Sequence, residues 1–197
     1  MTLRRLGVGF ALALLPGVAA AHLASTGLGP FYDGVSHFLL SPEDLVPVIG
    51  IALFAGMRGL GAARRVVFVL PLTWLLGSLV ALRAAPAYAG LEWSAAWFVA
   101  IGTLLAADVK LPAAATIALA ALAGVVHGYC NGSGLGVSLT VATVLVGLTL
   151  AVFVLTVLCA APAVLLTAQW ARIAVRVVGS WIAASGILML GWWIRGG

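Results

Sequence analysis

The chain has 197 residues, of which 64% are hydrophobic and only 8% are charged, and its formal net charge is +5. Soluble domains are roughly 45–50% apolar and about 25% charged, so this composition excludes a soluble globular domain and indicates a polytopic membrane protein. The basic residues are scattered between apolar segments and form no patch, which excludes a nucleic-acid-binding protein.

The N-terminal residues 1–21 have the pattern of a secretory signal peptide. Arg4-Arg5 forms a positive n-region, and the apolar stretch 6–15 is shorter than the ~20 residues that a membrane span needs. Ala19-Ala20-Ala21 supplies small residues for cleavage. Cleavage would make His22 the mature N-terminus, where the free amine and the imidazole together can chelate a metal. The alternative is an uncleaved first helix.

Six apolar segments follow the signal peptide and are predicted to cross the bilayer as α-helices. Their expected limits are about 41–59, 65–82, 93–107, 111–129, 137–159 and 173–194. The predicted fold class is therefore all-α, with one membrane domain over residues 22–197. This domain would consist of an exported interfacial segment, 22–41, and a six-helix bundle, 42–197.

Two local signals set the ends of predicted spans. Ser41-Pro42-Glu43-Asp44 predicts a helix start, with serine as N-cap, proline at N1 and acidic residues in the first turn. Asn131-Gly132-Ser133-Gly134 predicts a turn after the fourth span.

A cleaved signal peptide followed by six spans places both mature termini outside. The proposed outside segments hold only Arg83 and Arg195, whereas the proposed inside loops hold Arg58, Arg64, Arg65, Lys110, Arg172 and Arg176. This distribution agrees with the positive-inside rule. We therefore expect a bacterial inner-membrane protein with both termini in the periplasm. Glycines within the spans predict close helix packing, and an aromatic belt is expected from Trp93, Trp97, Trp192 and Trp193.

Most of the polar residues that could hold a metal lie toward the outer side: His22, Asp33, His37, Glu43, Asp44 and His127. Asp33 and His37 are spaced i,i+4 and share a face if residues 31–40 are helical. Imidazole and carboxylate together suit Ni²⁺, Co²⁺ or Zn²⁺.

A simpler interpretation exists for each of these residues. Asp33 and His37 could share only a hydrogen bond, and one of Glu43 and Asp44 could serve only the helix N-terminus. His127 could bond to a backbone carbonyl or a tyrosine. Asp108, near the inner end of the third span, could form a surface ion pair with Lys110 or mark the inner exit of a transport path.

The segment GPFYDGVSHFLLSPEDLVPVIGIALFAG, residues 29–56, resembles the HupE/UreJ family of hydrogenase and urease accessory membrane proteins, in particular its second, shorter branch. The pair His127-Gly128 and the six-span layout are similar to that family as well. The main branch has a histidine-proline, a glycine and an aspartate-histidine pair at the start of its first span. His37 matches the first histidine. Phe38 replaces the proline, Ser41 the glycine, and Glu43-Asp44 the aspartate-histidine pair, so a carboxylate replaces one imidazole.

The resemblance implies a permease for nickel or cobalt. We predict that Asp33, His37, Asp44 and His127 capture the ion, that Glu43 and His22 are further ligand candidates, and that the ion passes toward Asp108. Zinc or copper are alternative ions. The expected partners are the metal ion, the lipid bilayer, and a second copy of the chain or metalloenzyme maturation proteins.

Two other functions remain open. One is an intramembrane zinc hydrolase in which Asp33, His37 and His127 hold the metal and Glu43 acts as the base. The other is a metal-binding accessory or sensor protein that does not transport.

Overall fold

The computed structural model describes residues 26–84, 91–133 and 135–196, and over these ranges the regular elements are all helices. Seven helices follow one another: α1 (Pro30–Leu40), α2 (Pro42–Met57), α3 (Leu60–Ala81), α4 (Leu91–Ala106), α5 (Ala113–Gly132), α6 (Leu139–Val164) and α7 (Gln169–Ile194). The predicted signal peptide and His22 lie outside the described residues.

The six predicted spans correspond in order to α2 through α7. Four of these helices, α3, α5, α6 and α7, are long and apolar enough to cross a membrane. Helices α1 and α2 are long and apolar enough only when they are counted together, and this pair is bent by 75°. The apolar part of α4, residues 93–106, is shorter than these four helices. The all-α polytopic fold is therefore confirmed, with four or five candidate spans by length and composition.

The bend between α1 and α2 occurs at Ser41. The structure begins α2 at Pro42 with Ser41 as its N-cap, as predicted, but the serine side chain makes no capping bond to α2. Its Oγ instead donates to the carbonyl oxygen of His37 at 2.7 Å, which satisfies one of the free carbonyls at the end of α1. Because proline has no N–H, α1 cannot continue its hydrogen bonding through Pro42.

Glycines let the backbones of paired helices touch, as the sequence predicted. A Cβ added at Gly128 of α5 would lie 2.0 Å from the carbonyl oxygen of Trp74 in α3, and one at Gly34 of α1 would lie 2.1 Å from that of Val144 in α6. Helices α4 and α7 approach in the same way at Gly102. Helix α1 is thus packed into the bundle.

Helix α2 lies at the centre and contacts each of the other six described helices. Val48 and Ile51 in its middle are 1% exposed and belong to the main hydrophobic cluster. Its two ends each carry a polar cluster. The first turn holds Asp44, and the residue after its last turn is Arg58.

Candidate functional site

A continuous set of hydrogen bonds joins four polar side chains from α1, α2 and α5. Asp44 Oδ1 lies 2.8 Å from His127 Nδ1, and Asp44 Oδ2 accepts from Asn131 Nδ2 at 2.9 Å. Asn131 Oδ1 lies 3.0 Å from His37 Nε2. We call Asp44, His127, Asn131 and His37 the polar network. It joins the first turn of the central helix to two histidines that are 90 residues apart in the chain.

The hydrogen bond to Asp44 fixes the orientation of the His127 ring. A carboxylate only accepts, so His127 Nδ1 carries the hydrogen and, in the neutral ring, Nε2 keeps its lone pair. Among the described residues Nε2 is buried and has no hydrogen-bond partner. Histidines that bind metals typically donate their other N–H to a carboxylate in this way. His127 therefore has the orientation that a metal-binding histidine requires, and its Nε2 lone pair is available.

Aromatic side chains surround the His127 ring. Trp74 stacks on it with a centroid separation of 5.4 Å and an interplanar angle of 23°, and Trp97 lies 5.6 Å away at 54°. Phe38 packs edge-on against Trp74. The expectation for Trp97 was a place in the aromatic belt at the membrane surface, but it also forms part of this enclosure. Both Trp74 and His127 are buried, so these aromatic rings shield Nε2 from water.

Asn131 was not among the residues predicted to form the site. The sequence Asn131-Gly132-Ser133-Gly134 predicted a turn, but α5 continues through Gly132. Asn131 therefore lies one helical turn after His127 and faces the same way, and it also donates to the His127 carbonyl oxygen at 2.9 Å. The i,i+4 spacing from His127 was the signal that could have identified it.

The amide of Asn131 also sets the orientation of His37. Its Nδ2 donates to Asp44 and to the His127 carbonyl, so Oδ1 is the atom that accepts from His37 Nε2. His37 Nδ1 then carries the second imidazole lone pair of the network. His37 is only partly buried, whereas His127 is 7% exposed. The two imidazoles thus differ in their access to the surface.

Asp33 and Glu43 lie outside the polar network. Asp33 does not pair with His37, because it accepts hydrogen bonds from the N–H and the hydroxyl of Thr26 at 2.6 and 2.8 Å. Glu43 is exposed. Within the described ranges no group of three His, Cys, Asp or Glu side chains is positioned to hold a metal ion. The arrangement of Asp33, His37 and His127 that the hydrolase alternative required is therefore not formed.

A second polar cluster lies beyond the other end of α2. Asp108, in the connection between α4 and α5, accepts hydrogen bonds from Arg58, from Lys110 at 2.7 Å and from Arg172 at 3.1 Å. The predicted ion pair with Lys110 is confirmed, and two arginines join it. At 1.5 Å per residue, the 16 residues of α2 place this cluster about 24 Å from the polar network.

The charges around Asp108 determine its ionisation. Burial raises the pKa of Asp108, but hydrogen bonds from Lys110, Arg172 and Arg58 outweigh burial and lower it from 3.8 to about 2. The carboxyl group is therefore ionised at every physiological pH, and it offsets part of the positive charge at this end of the bundle.

We expect the Asp108 cluster to contribute to stability even in mild acid. Because the folded-state pKa lies below 3.8, this contribution is fully present above the unfolded pKa and is lost as the pH falls through about 2. Thermal unfolding of the wild type and Asp108→Asn in detergent should show a difference in Tm that is constant down to about pH 4 and then shrinks. A difference that vanishes between pH 7 and 5 would contradict this assignment.

Comparison with protein families gives a match. The family model described as HupE / UreJ protein matches residues 10–189, which is most of the chain. No curated protein and no solved structure matches.

Proposed function

This chain belongs to the HupE/UreJ family, and from its polar network we propose that it is a membrane permease for a divalent transition metal, nickel or cobalt. The family is associated with nickel or cobalt transport or with accessory functions for hydrogenase and urease. The observation that carries the proposal is the His127 ring, which Asp44 orients while Nε2 remains buried and without a partner among the described residues.

The donor atoms of the network suit such an ion. His127 Nε2 and His37 Nδ1 carry imidazole lone pairs, and Asp44 orients the His127 ring through Nδ1. Imidazole binds nickel, cobalt, zinc and copper well, whereas magnesium and calcium prefer oxygen ligands. The three residues do not form a closed ligand set in the described structure. Transport is compatible with incomplete ligation, because an ion that is held too tightly cannot leave.

The distribution of charge supports a direction for the movement. The basic residues near the Asp108 cluster mark the cytoplasmic side by the positive-inside rule, so the polar network would face the periplasm. A divalent cation that crosses toward a negative interior gains roughly 4–5 kcal/mol at 100 mV. We place the inner exit near Asp108. There the ion would have to displace at least one of the three basic side chains that bind this carboxylate.

The pair Glu43 and Asp44 allows a matched test, because the two carboxylates are adjacent in sequence but only Asp44 belongs to the network. We expect Asp44→Asn to lower saturable Ni²⁺ or Co²⁺ uptake into proteoliposomes by 10- to 100-fold, the typical cost of removing the partner that orients a metal-binding histidine. Glu43→Gln should retain wild-type uptake, because Glu43 is exposed and outside the network.

Three outcomes would overturn the proposal. Equal uptake by the wild type and Asp44→Asn would exclude a role for the network. Stoichiometric metal binding by folded wild-type protein without any flux would indicate an accessory or sensor protein. Metal-dependent hydrolysis by the same preparation would favour the enzyme.

A further inference from the structure

A long apolar groove follows the outer surface of the bundle between α3 and α6. It consists of two hollows that lie next to each other along α3. The first, with a volume of about 380 Å³, lies between residues 60–67 and 157–165, and the second, of about 320 Å³, lies between residues 68–75 and 146–153. Both are lined almost entirely by aliphatic and aromatic side chains. The only charged residue that lines either hollow is Arg64, at the Asp108 end of the groove.

We propose that this groove binds one acyl chain of an anionic phospholipid and that Arg64 binds its phosphate. The groove extends along α3 from Leu60 to Leu75, which at 1.5 Å per residue is about 22 Å. The hydrocarbon region of one leaflet is about half of the ~30 Å bilayer core. A single acyl chain of the leaflet at the Asp108 end can therefore lie along most of the groove.

The charge of Arg64 selects the lipid class. Four basic residues at this end already have partners: Arg58, Lys110 and Arg172 bind Asp108, and Arg176 donates to the Ala106 carbonyl. Among the acidic side chains that the structure describes, Asp33, Glu43, Asp44 and Asp108, none pairs with Arg64. An exposed guanidinium above an apolar groove complements a phosphate headgroup with an acyl chain below it. Basic pockets between helices on the cytoplasmic side bind anionic headgroups by the same principle.

Arg65 provides the control for Arg64. Both arginines are exposed in the first turns of α3, but only Arg64 lines the groove. The experiment is native mass spectrometry of metal-free protein in neutral detergent, with equal amounts of phosphatidylglycerol and phosphatidylcholine that have the same acyl chains. We expect the wild type to retain phosphatidylglycerol about fivefold better, which corresponds to one basic residue at the headgroup.

The variants separate the headgroup contact from the groove. Arg64→Gln should remove the preference for phosphatidylglycerol, and Arg65→Gln should keep most of it. Ala161→Phe, which places a ring on the exposed wall of the groove, should reduce retention of both lipids. The experiment contains no metal, so its outcome is independent of the proposed transport.

Several results would overturn the proposal. These are equal retention of the two lipids by the wild type, equal loss of the preference in the two arginine variants, or unchanged retention in Ala161→Phe. A dimer of the chain that Ala161→Phe dissociates would assign the groove to a second copy instead of a lipid.

Discussion

Replacing His127 with glutamine is expected to abolish saturable uptake of nickel or cobalt in proteoliposomes. The substitution removes the one imidazole lone pair of the network that is buried and has no partner in the described structure. An amide oxygen is a much weaker ligand for these ions than an imidazole nitrogen. The glutamine N–H groups can still donate to Asp44, so the carboxylate is not left without a partner. We expect a larger loss than in Asp44→Asn, where the ligand itself remains.

His37→Gln is the matched control for His127→Gln. It makes the same chemical change at the partly buried histidine, where an amide N–H can replace the bond to Asn131. We expect uptake to fall but to remain saturable, because His127 stays in place. Metal bound per chain should be measured in parallel, and the folded state should be checked by thermal unfolding. Wild-type uptake by folded His127→Gln protein would refute a role for this residue as a ligand.

The sequence predicted the helices better than the contacts between them. Each of the six apolar segments predicted as spans forms a helix near the expected limits, because hydrophobicity and capping signals are local properties. The clustering of basic residues at one end also followed from the order of the segments. Hydrophobicity could not determine which of Glu43 and Asp44 faces the interior. That depends on the rotation of α2 about its axis, which packing against the other six helices determines.

Two interpretations near the site differ from the structure because each was made from a short stretch of sequence. Asp33 and His37 were expected to share a helix face as metal ligands, or alternatively a hydrogen bond, because of their i,i+4 spacing, but Thr26 offers Asp33 two donors just before α1. Asn131 was assigned to a turn because of the glycines after it, but the first of them, Gly132, packs against α3: a Cβ there would meet the Ser78 carbonyl oxygen at 2.3 Å. In both places a contact outside the local pattern determined the role of the residue.

The polar network and the glycine contacts depend on each other. Gly124, Gly128 and Gly132 recur every four residues on α5 and all face the backbone of α3. This close approach brings Trp74 onto the face of His127. It also lets Ser78 Oγ donate to the Gly128 carbonyl at 2.9 Å. The position of His127, the candidate ligand, therefore depends on glycines, which have no side chain to hold the two helices apart.

We therefore expect Gly128→Ala to destabilise the protein strongly. The added methyl group would lie 2.0, 2.7 and 2.9 Å from three backbone atoms of Trp74, and backbone cannot rotate away as a side chain can. Helices α3 and α5 would have to separate, at a cost of about 3 kcal/mol or more. For a chain of this size that corresponds to a fall in Tm of roughly 6–12 °C. Thermal unfolding in detergent measures this change.

Gly191→Ala is the control for Gly128→Ala, because a Cβ at Gly191 in α7 meets nothing within 4 Å. This variant should have the wild-type Tm or a slightly higher one, since alanine favours a helix over glycine by up to about 1 kcal/mol. Metal uptake should fall in Gly128→Ala even at temperatures where it remains folded, because the separation of α3 from α5 moves Trp74 and His127 apart. A wild-type Tm for Gly128→Ala would show that the two helices are not in backbone contact, and the enclosure of His127 would then need a different explanation.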